Sequence, residues 1–271
     1  MNDEPPLGRA TDYPDQYDAS LLHAIARSEA RQTLGLRADL PFSGVDIWNA
    51  WELTWLDRGG KPVVATAEIR VPASSPNIVE SKSLKLYLNS FAMTRHESWI
   101  EVTDAIGRDL SAVTGAEVGI RLSDTPAQYR ANVARLPGTC LDELDVDCDT
   151  FEVDATLLCT VRGGLAREDY YTHLLRSLCP VTGQPDLGSV LVSYRGPRIE
   201  PASLLQYLVS FRRHQDFHEA CVERMFTDVL ERCRPDRLTV YARYQRRGGI
   251  DINPFRSNFE SNPTNPRLWR Q

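Results

Sequence analysis

An internal repeat constrains this chain more than any other feature. Glu80-Ser81-Lys82-Ser83-Leu84-Lys85-Leu86-Tyr87 returns 120 positions later as Glu200-Pro201-Ala202-Ser203-Leu204-Leu205-Gln206-Tyr207. Both copies run on alike, as Leu88-Asn89-Ser90-Phe91 and Leu208-Val209-Ser210-Phe211. Gly60-Lys61-Pro62 matches Gly183-Gln184-Pro185, His96-Glu97 matches His218-Glu219, and Val118-Gly119-Ile120-Arg121 matches Thr239-Val240-Tyr241-Ala242. The order is kept throughout, so one supersecondary plan is used twice and the chain must be read as two related halves.

The expected boundaries are an N-terminal arm over 1–20, rich in Pro and Asp, then modules over 21–140 and 141–271. In the first module the patterns predict a helix over Leu21 to Leu34, a strand over Asp46 to Trp55 and a hairpin turn at Arg58-Gly59-Gly60-Lys61. A returning strand over Val63 to Val71, helices over Leu84 to Phe91 and Trp99 to Val113, and a strand over Ala116 to Leu122 follow. The second module repeats the order. Strands are expected over Thr150 to Val161, Ser189 to Tyr194 and Leu238 to Gln245, and helices over Ser203 to Arg213 and Phe217 to Arg232. A charged connection over Leu141 to Val146 and a turn-rich stretch from Arg246 to Phe255 complete it. Helices follow one another instead of alternating singly with strands, which implies α+β with antiparallel sheet. No Gly-x-Gly-x-x-Gly opens a helix, so a Rossmann nucleotide site is not supported.

A formal charge of −6 argues against a nucleic-acid surface, which needs a basic footprint. No run of 18 apolar residues is present to span a bilayer, and the start Met1-Asn2-Asp3-Glu4-Pro5-Pro6 is unlike a secretory signal. The expectation is a cytoplasmic protein without a membrane partner. The six cysteines contain no Cys-x-x-Cys pair, so no structural zinc site and no disulfide framework are expected.

Three places carry candidate chemistry. In Leu178-Cys179-Pro180-Val181-Thr182-Gly183-Gln184-Pro185-Asp186 the prolines and glycine force a loop, and a carboxylate seven residues on can fold back toward Cys179. A thiol nucleophile with a nearby proton carrier has this form, and so has an ordinary turn cysteine beside a solvated Asp. Glu80, and His218 with Glu219, open helices, where acidic residues cap as readily as they bind a ligand. Two carboxylates converging on a planar nitrogen heterocycle would accept its N–H donors. Ser81, Lys82 and Lys85 at a helix start, with Arg246-Arg247-Gly248-Gly249, suit phosphate, and a solvated charged face has the same spacing. The repeat helps here. Lys82 and Lys85 become Ala202 and Leu205, while Val63 stands where the second half has Asp186. The halves divide the polar equipment between them.

Taken together, Glu80 to Tyr87, Cys179 to Asp186, His218-Glu219 and Gly249-Ile250-Asp251-Ile252-Asn253-Pro254-Phe255 resemble the NADPH-dependent 7-cyano-7-deazaguanine reductases, the nitrile reductases of the queuosine pathway, in their long two-module form. The resemblance covers nearly the whole chain. It implies tandem tunnelling-fold (T-fold) modules, antiparallel sheets each backed by two helices, and a homodimer. It further implies Cys179 as nucleophile and Asp186 as proton carrier. The deazaguanine would lie against Val79, Glu80, Ser81, His218 and Glu219, and NADPH against Ser81, Lys82, Arg247 and Gly248, with no metal. Two other readings stay open: a pteridine-forming cyclohydrolase or synthase of the same fold, and a non-catalytic purine-binding scaffold.

Overall fold

The computed structural model describes residues 13–123 and 133–271. The expected arm lies outside the described residues as far as residue 12. The described chain divides into two compact units, the first formed by 13–29, 46–123 and 246–251, the second by 30–45, 133–245 and 252–271.

The first unit holds β1 (Ala24–Ala26), the start of α1 (Arg27–Thr33), β2 (Ser43–Leu56) from residue 46, β3 (Pro62–Pro72), β4 (Asn77–Val79), α2 (Ser81–Ser90), α3 (Trp99–Thr114) and β5 (Gly119–Ser123). Its sheet runs β5-β3-β2, and β1 pairs separately with β4. The second unit holds β6 (Thr139–Cys140), β7 (Thr160–Leu178), β8 (Pro185–Ile199), α4 (Pro201–Ser210), α5 (His218–Cys233), β9 (Arg237–Tyr244) and most of β10 (Ile250–Ser257), with sheet order β10-β9-β8-β7-β6. β3 pairs antiparallel with β5, and so do β7 with β8, β8 with β9 and β9 with β10, whereas β6 runs parallel to β7. The α+β class with antiparallel sheet and paired helices is the one the sequence implies.

Local chemistry explains the helices. Ser98 caps α3 by accepting from Glu101 N–H at 3.2 Å, and Gly115 at φ 73° ends it. Arg234 takes the left-handed conformation after α5, and Pro235 forbids continuation. The second core is built from α4, α5 and the inner faces of β7 to β9. Tyr207, Phe211, Cys221, Phe226, Val190, Val192 and Val240 are fully buried in it. At about 25 cal/mol per Å² of apolar surface, each large side chain there contributes on the order of 2 kcal/mol.

The duplication is written in hydrogen bonds. Glu80 N–H donates to His23 O at 2.8 Å, and Glu200 N–H to Cys159 O at 3.0 Å. Ser83 Oγ accepts from His23 N–H, as Ser203 Oγ does from Cys159 N–H. Tyr87 Oη donates to Asp109, and Tyr207 Oη to Asp228, each at 2.7 Å. Leu56 N–H donates to Thr94 O, and Leu178 N–H to His214 O. These bonds correct one match. His96 N–H donates to Leu56 O as Asp216 N–H donates to Leu178 O, so His96 corresponds to Asp216, and His218-Glu219 stands opposite Trp99-Ile100. The pair at the head of α5 has no counterpart in the first half.

Three other expectations change. Residues 22–26 are not helical, because 24–26 pair with 77–79, and the short 3-10 turn before them, Ala19–Leu21, is capped by Asp18, which accepts from Ser20 N–H. Residues 150–159 are irregular around a short 3-10 turn capped by Asp154, and the strand starts at Thr160. The stretch expected to be turn-rich contains most of β10, whose eight residues are buried. Its pairs with β9 run from Phe255↔Tyr241 to Ser257↔Thr239, beyond Pro254, so the missing proline N–H falls outside them.

Candidate active site

In the second unit, β7 and β8 join through residues 179–184. Cys179 N–H donates to Gln184 O, Gly183 N–H donates back to Cys179 O, both at 2.9 Å, and Gly183 turns at φ 67°. The register sets Ser177 opposite Asp186. Cross-strand partners share a face, so Ser177 and Asp186 point to the same side of this hairpin, and Cys179 follows two residues after Ser177, in the turn. Asp186 therefore opens β8 and is not part of the loop. Both side chains are buried, Cys179 at 5% exposure and Asp186 at 4%.

The start of α5 closes on the same face. His218 Nε2 lies 3.6 Å from Asp186 Oδ2, and its ring meets the Tyr244 ring edge-on at a centroid distance of 4.0 Å. Glu219, in the first turn, is 3% exposed. Behind them lie Ser177, Cys221 and Tyr244, and the Ser177 and Tyr244 hydroxyls are buried with no hydrogen-bond partner among the described residues. Burial pushes the Cys221 thiol and the Tyr244 phenol up, and the carboxylates of Asp216 and Asp186 raise Cys221 further. Cys233 is pushed up to about 11, by burial first, and Cys148 is raised by burial and its flanking Asp residues. These three thiols stay protonated and unreactive, since the thiolate is the nucleophile.

The first unit collects the other predicted residues. Val79 is 2% exposed and pairs with Ala24 in β4, so its side chain faces the interior. Glu80, 1% exposed, accepts from Lys82 N–H at 2.9 Å and from Ser83 N–H at 2.7 Å. Its carboxylate thus holds two amides of the α2 N-terminus that a phosphate would otherwise take. An anion at this end must be met by side chains: the Ser81 hydroxyl, Lys82 and, one turn on, Lys85. Gly248, at φ 60°, lies so close to Lys85 that an added Cβ would stand 3.2 Å from its Cε. Arg247 forms a tight turn with Ile250, Arg246 stacks over Trp51 at 5.7 Å, and Trp51 N–H donates to Gly249 O at 2.9 Å. Asp251 accepts from both Asn49 and the Trp51 indole. In the first unit Ser81, Lys82 and Lys85 thus lie on the first turns of α2, with Gly248 close against Lys85. That donor set fits a phosphorylated dinucleotide.

Two family models match the chain. Residues 13–122 match the family described as "Nitrile reductase, 7-cyano-7-deazaguanine-reductase N-term", and residues 185–263 match "QueF-like protein". A protein of Paraburkholderia xenovorans (strain LB400) named NADPH-dependent 7-cyano-7-deazaguanine reductase is 53% identical over 271 residues, 99% of each chain. Proteins of the same name from Burkholderia pseudomallei (strain 1106a) and Burkholderia vietnamiensis are 54% and 53% identical over the whole of both chains. The chain belongs to the NADPH-dependent 7-cyano-7-deazaguanine reductase family. Within this family member, Glu80 to Lys82 lie in the first matched segment and Asp186, His218, Glu219, Arg247 and Gly248 in the second, while Cys179 falls between the two and is spanned by the full-length alignments.

Tyr244, Cys221 and Ser177 join the site of this reductase without a motif to announce them. Gly188 is the local trace of Tyr244: the two pair across β8 and β9, and the absent side chain leaves room for the ring. A Cβ on Gly188 would stand 3.2 Å from Tyr244 Cδ1.

Proposed function

We infer that this chain reduces the nitrile 7-cyano-7-deazaguanine to 7-aminomethyl-7-deazaguanine with two equivalents of NADPH. The observation that carries this reading is the β7–β8 hairpin, where Asp186 and His218 lie 3.6 Å apart on a buried face and Cys179, also buried, opens the turn.

A nitrile carbon is electrophilic but slow to react, and covalent capture divides the reduction into easier steps. The Cys179 thiol gives its proton to the Asp186–His218 pair, and the thiolate adds to the nitrile carbon. The nitrogen takes the proton back from Asp186, which leaves a neutral thioimide. Bound NADPH supplies the two hydrides that take the carbon from the nitrile to the amine level. Cys179 departs as thiolate between them, and Asp186 with His218 relays to the nitrogen the further protons it needs, taken up from solvent. Glu219 in the second unit and Glu80 in the first are each proposed to accept ring N–H groups of a bound base. Each carboxylate oxygen has two lone pairs, so the two capping bonds of Glu80 leave acceptor capacity for a ligand. Lys82, Lys85, Ser81 and Arg247 hold the phosphates. Oligomerisation as a homodimer in the cytoplasm, acting on the free base and not on nucleic acid, completes the reading. The family resemblance supports the first point and the charge of −6 the last. Among the described residues no helix is long and apolar enough to cross a membrane.

Intact mass spectrometry with the nitrile and no NADPH tests the reading directly. The wild-type chain gains the full mass of one nitrile, Cys221→Ser gains it too, and Cys179→Ala gains nothing and does not turn over. An adduct that persists in Cys179→Ala would overturn the assignment.

A further inference from the structure

The proposed chemistry leaves unused a second cluster of ligating side chains in the second unit. Cys140 ends β6, Asp142 follows it by two residues, and His173 lies in β7. One potential ligand atom of each lies within 4.8 Å of those of the other two. All three are part-buried, reachable by a small cation yet shielded from bulk water.

The surroundings hold these side chains in place. Asp142 accepts from Thr172 Oγ1 at 2.6 Å and from His173 N–H at 3.1 and 3.2 Å. Those bonds orient the carboxylate and leave lone pairs on it. The register of β7 on β8 slips between Thr172 and Leu175, so His173 lies in a bulge, the device that re-aims a strand side chain. Its Nδ1 lies 2.7 Å from Ser189 Oγ. A partner on one ring nitrogen fixes the ring and leaves the other nitrogen's lone pair for a metal, as in metal-binding histidines generally. Leu141 N–H donates to Tyr171 O at 2.8 Å, which holds the segment against β7.

We propose that Cys140, Asp142 and His173 bind a zinc ion that clips the two-residue edge strand β6 to β7. One thiolate, one imidazole and one carboxylate form a borderline-soft set that suits zinc over calcium or magnesium. With bond lengths of about 2.0–2.3 Å, ligand atoms around tetrahedral zinc lie about 3.3–3.8 Å apart, so small side-chain rotations close the site. Thiolate and carboxylate neutralise the ion, so the neighbouring Arg270 guanidinium, anchored on His173 O and Gly188 O, meets no added positive charge. Three protein ligands leave a fourth position for water. Cys-x-x-Cys spacing is not needed here, because the ligands come from a parallel strand pair: Cys140 faces Tyr171 across the β6–β7 ladder.

Cobalt titration of the full-length, chelator-treated protein tests the site without reference to turnover. The expected result is one equivalent of Co²⁺ bound with a thiolate-to-cobalt charge-transfer band and the intense visible bands of tetrahedral cobalt, displaced by one equivalent of Zn²⁺. Cys179→Ala keeps the spectrum, Cys140→Ser loses the charge-transfer band, and His173→Gln weakens binding about tenfold or more. Zn²⁺ raises the thermal unfolding midpoint of the wild type and leaves that of Cys140→Ser unmoved. No band at one equivalent, a band that survives Cys140→Ser, or a band lost in Cys179→Ala would overturn the site. Binding without any rise in the wild-type midpoint would overturn the clip. If Cys140→Ser does not fold, the wild-type titration and His173→Gln still separate a bound ion from an empty site.

Discussion

Asp186 shows how one side chain acquires a role from its position. At the first turn of a strand after Pro185 it would be a solvated carboxylate. Paired with Ser177 and covered by the head of α5, it is 4% exposed and 3.6 Å from His218 Nε2. A buried carboxylate beside a histidine can take a proton and return it without exchange with bulk water. General acid–base groups contribute about 10² to 10⁴ in rate. Asp186→Asn, nearly the same size, should fold as the wild type and lose about that factor in kcat, measured as nitrile-dependent NADPH oxidation. A loss under about threefold would remove Asp186 from the mechanism. Cys221 illustrates the converse. It is a fully buried thiol behind the same site, and its surroundings keep it protonated.

At the scale of elements, the link between the short 3-10 turn Phe211–Arg213 and α5 holds the reacting hairpin. His214 O accepts from Leu178 N–H, and Asp216 N–H donates to Leu178 O, so this link clamps the residue before Cys179. His214 is pushed down to about 4, first by burial and then by Arg224, and its Nε2 is 3.7 Å from Asp216. Its folded pKa is below the unfolded value of 6.5, so the folded chain binds fewer protons between those values. The clamp contributes fully above pH 6.5, and stability falls as pH drops toward 4, by on the order of 3 kcal/mol for this group. Asp216, raised by burial, titrates the other way and trims that loss. Urea midpoints from pH 7 to 4 should fall less steeply in His214→Gln than in the wild type. Parallel slopes would show that His214 does not control the acid limb. Much of this level is legible in the sequence. The helices and hairpins follow from periodicity, Gly60, Gly183 and Pro235, because those signals are local. Residues 24–26 and the extent of β10 do not, because their pairing partners lie far off in the chain, at 77–79 and 239–241. The head of α5 is recognisable as a helix start, but its approach to Asp186 depends on register, which no local pattern encodes.

At the scale of the whole molecule, duplication followed by divergence explains the distribution of function. The bonds that fasten α2 and α4 to the segments before them, through Ser83 and Ser203, and to the helices after them, through Tyr87 and Tyr207, are the same in both halves. The polar residues that differ are the ones proposed for chemistry. Asp186 has Val63 as its counterpart, and His218-Glu219 has Trp99-Ile100. In the other direction, Glu80 caps its helix with two bonds, while Glu200 makes no side-chain cap bond and is followed by Pro201. Lys82 has Ala202 as its counterpart, and α4 is as long as α2, ten residues each, so the lysine is not needed to build the helix. In the proposed reaction it holds the cofactor. Lys82→Ala should raise the NADPH dissociation constant about tenfold, some 1.4 kcal/mol, the scale of one lost charge-assisted hydrogen bond. Thioimide formation needs no hydride, so the same variant should accumulate the nitrile adduct at close to the wild-type rate. Unchanged NADPH affinity, or a folded Lys82→Ala that no longer forms the adduct, would show that the two halves do not divide cofactor from covalent chemistry in this way.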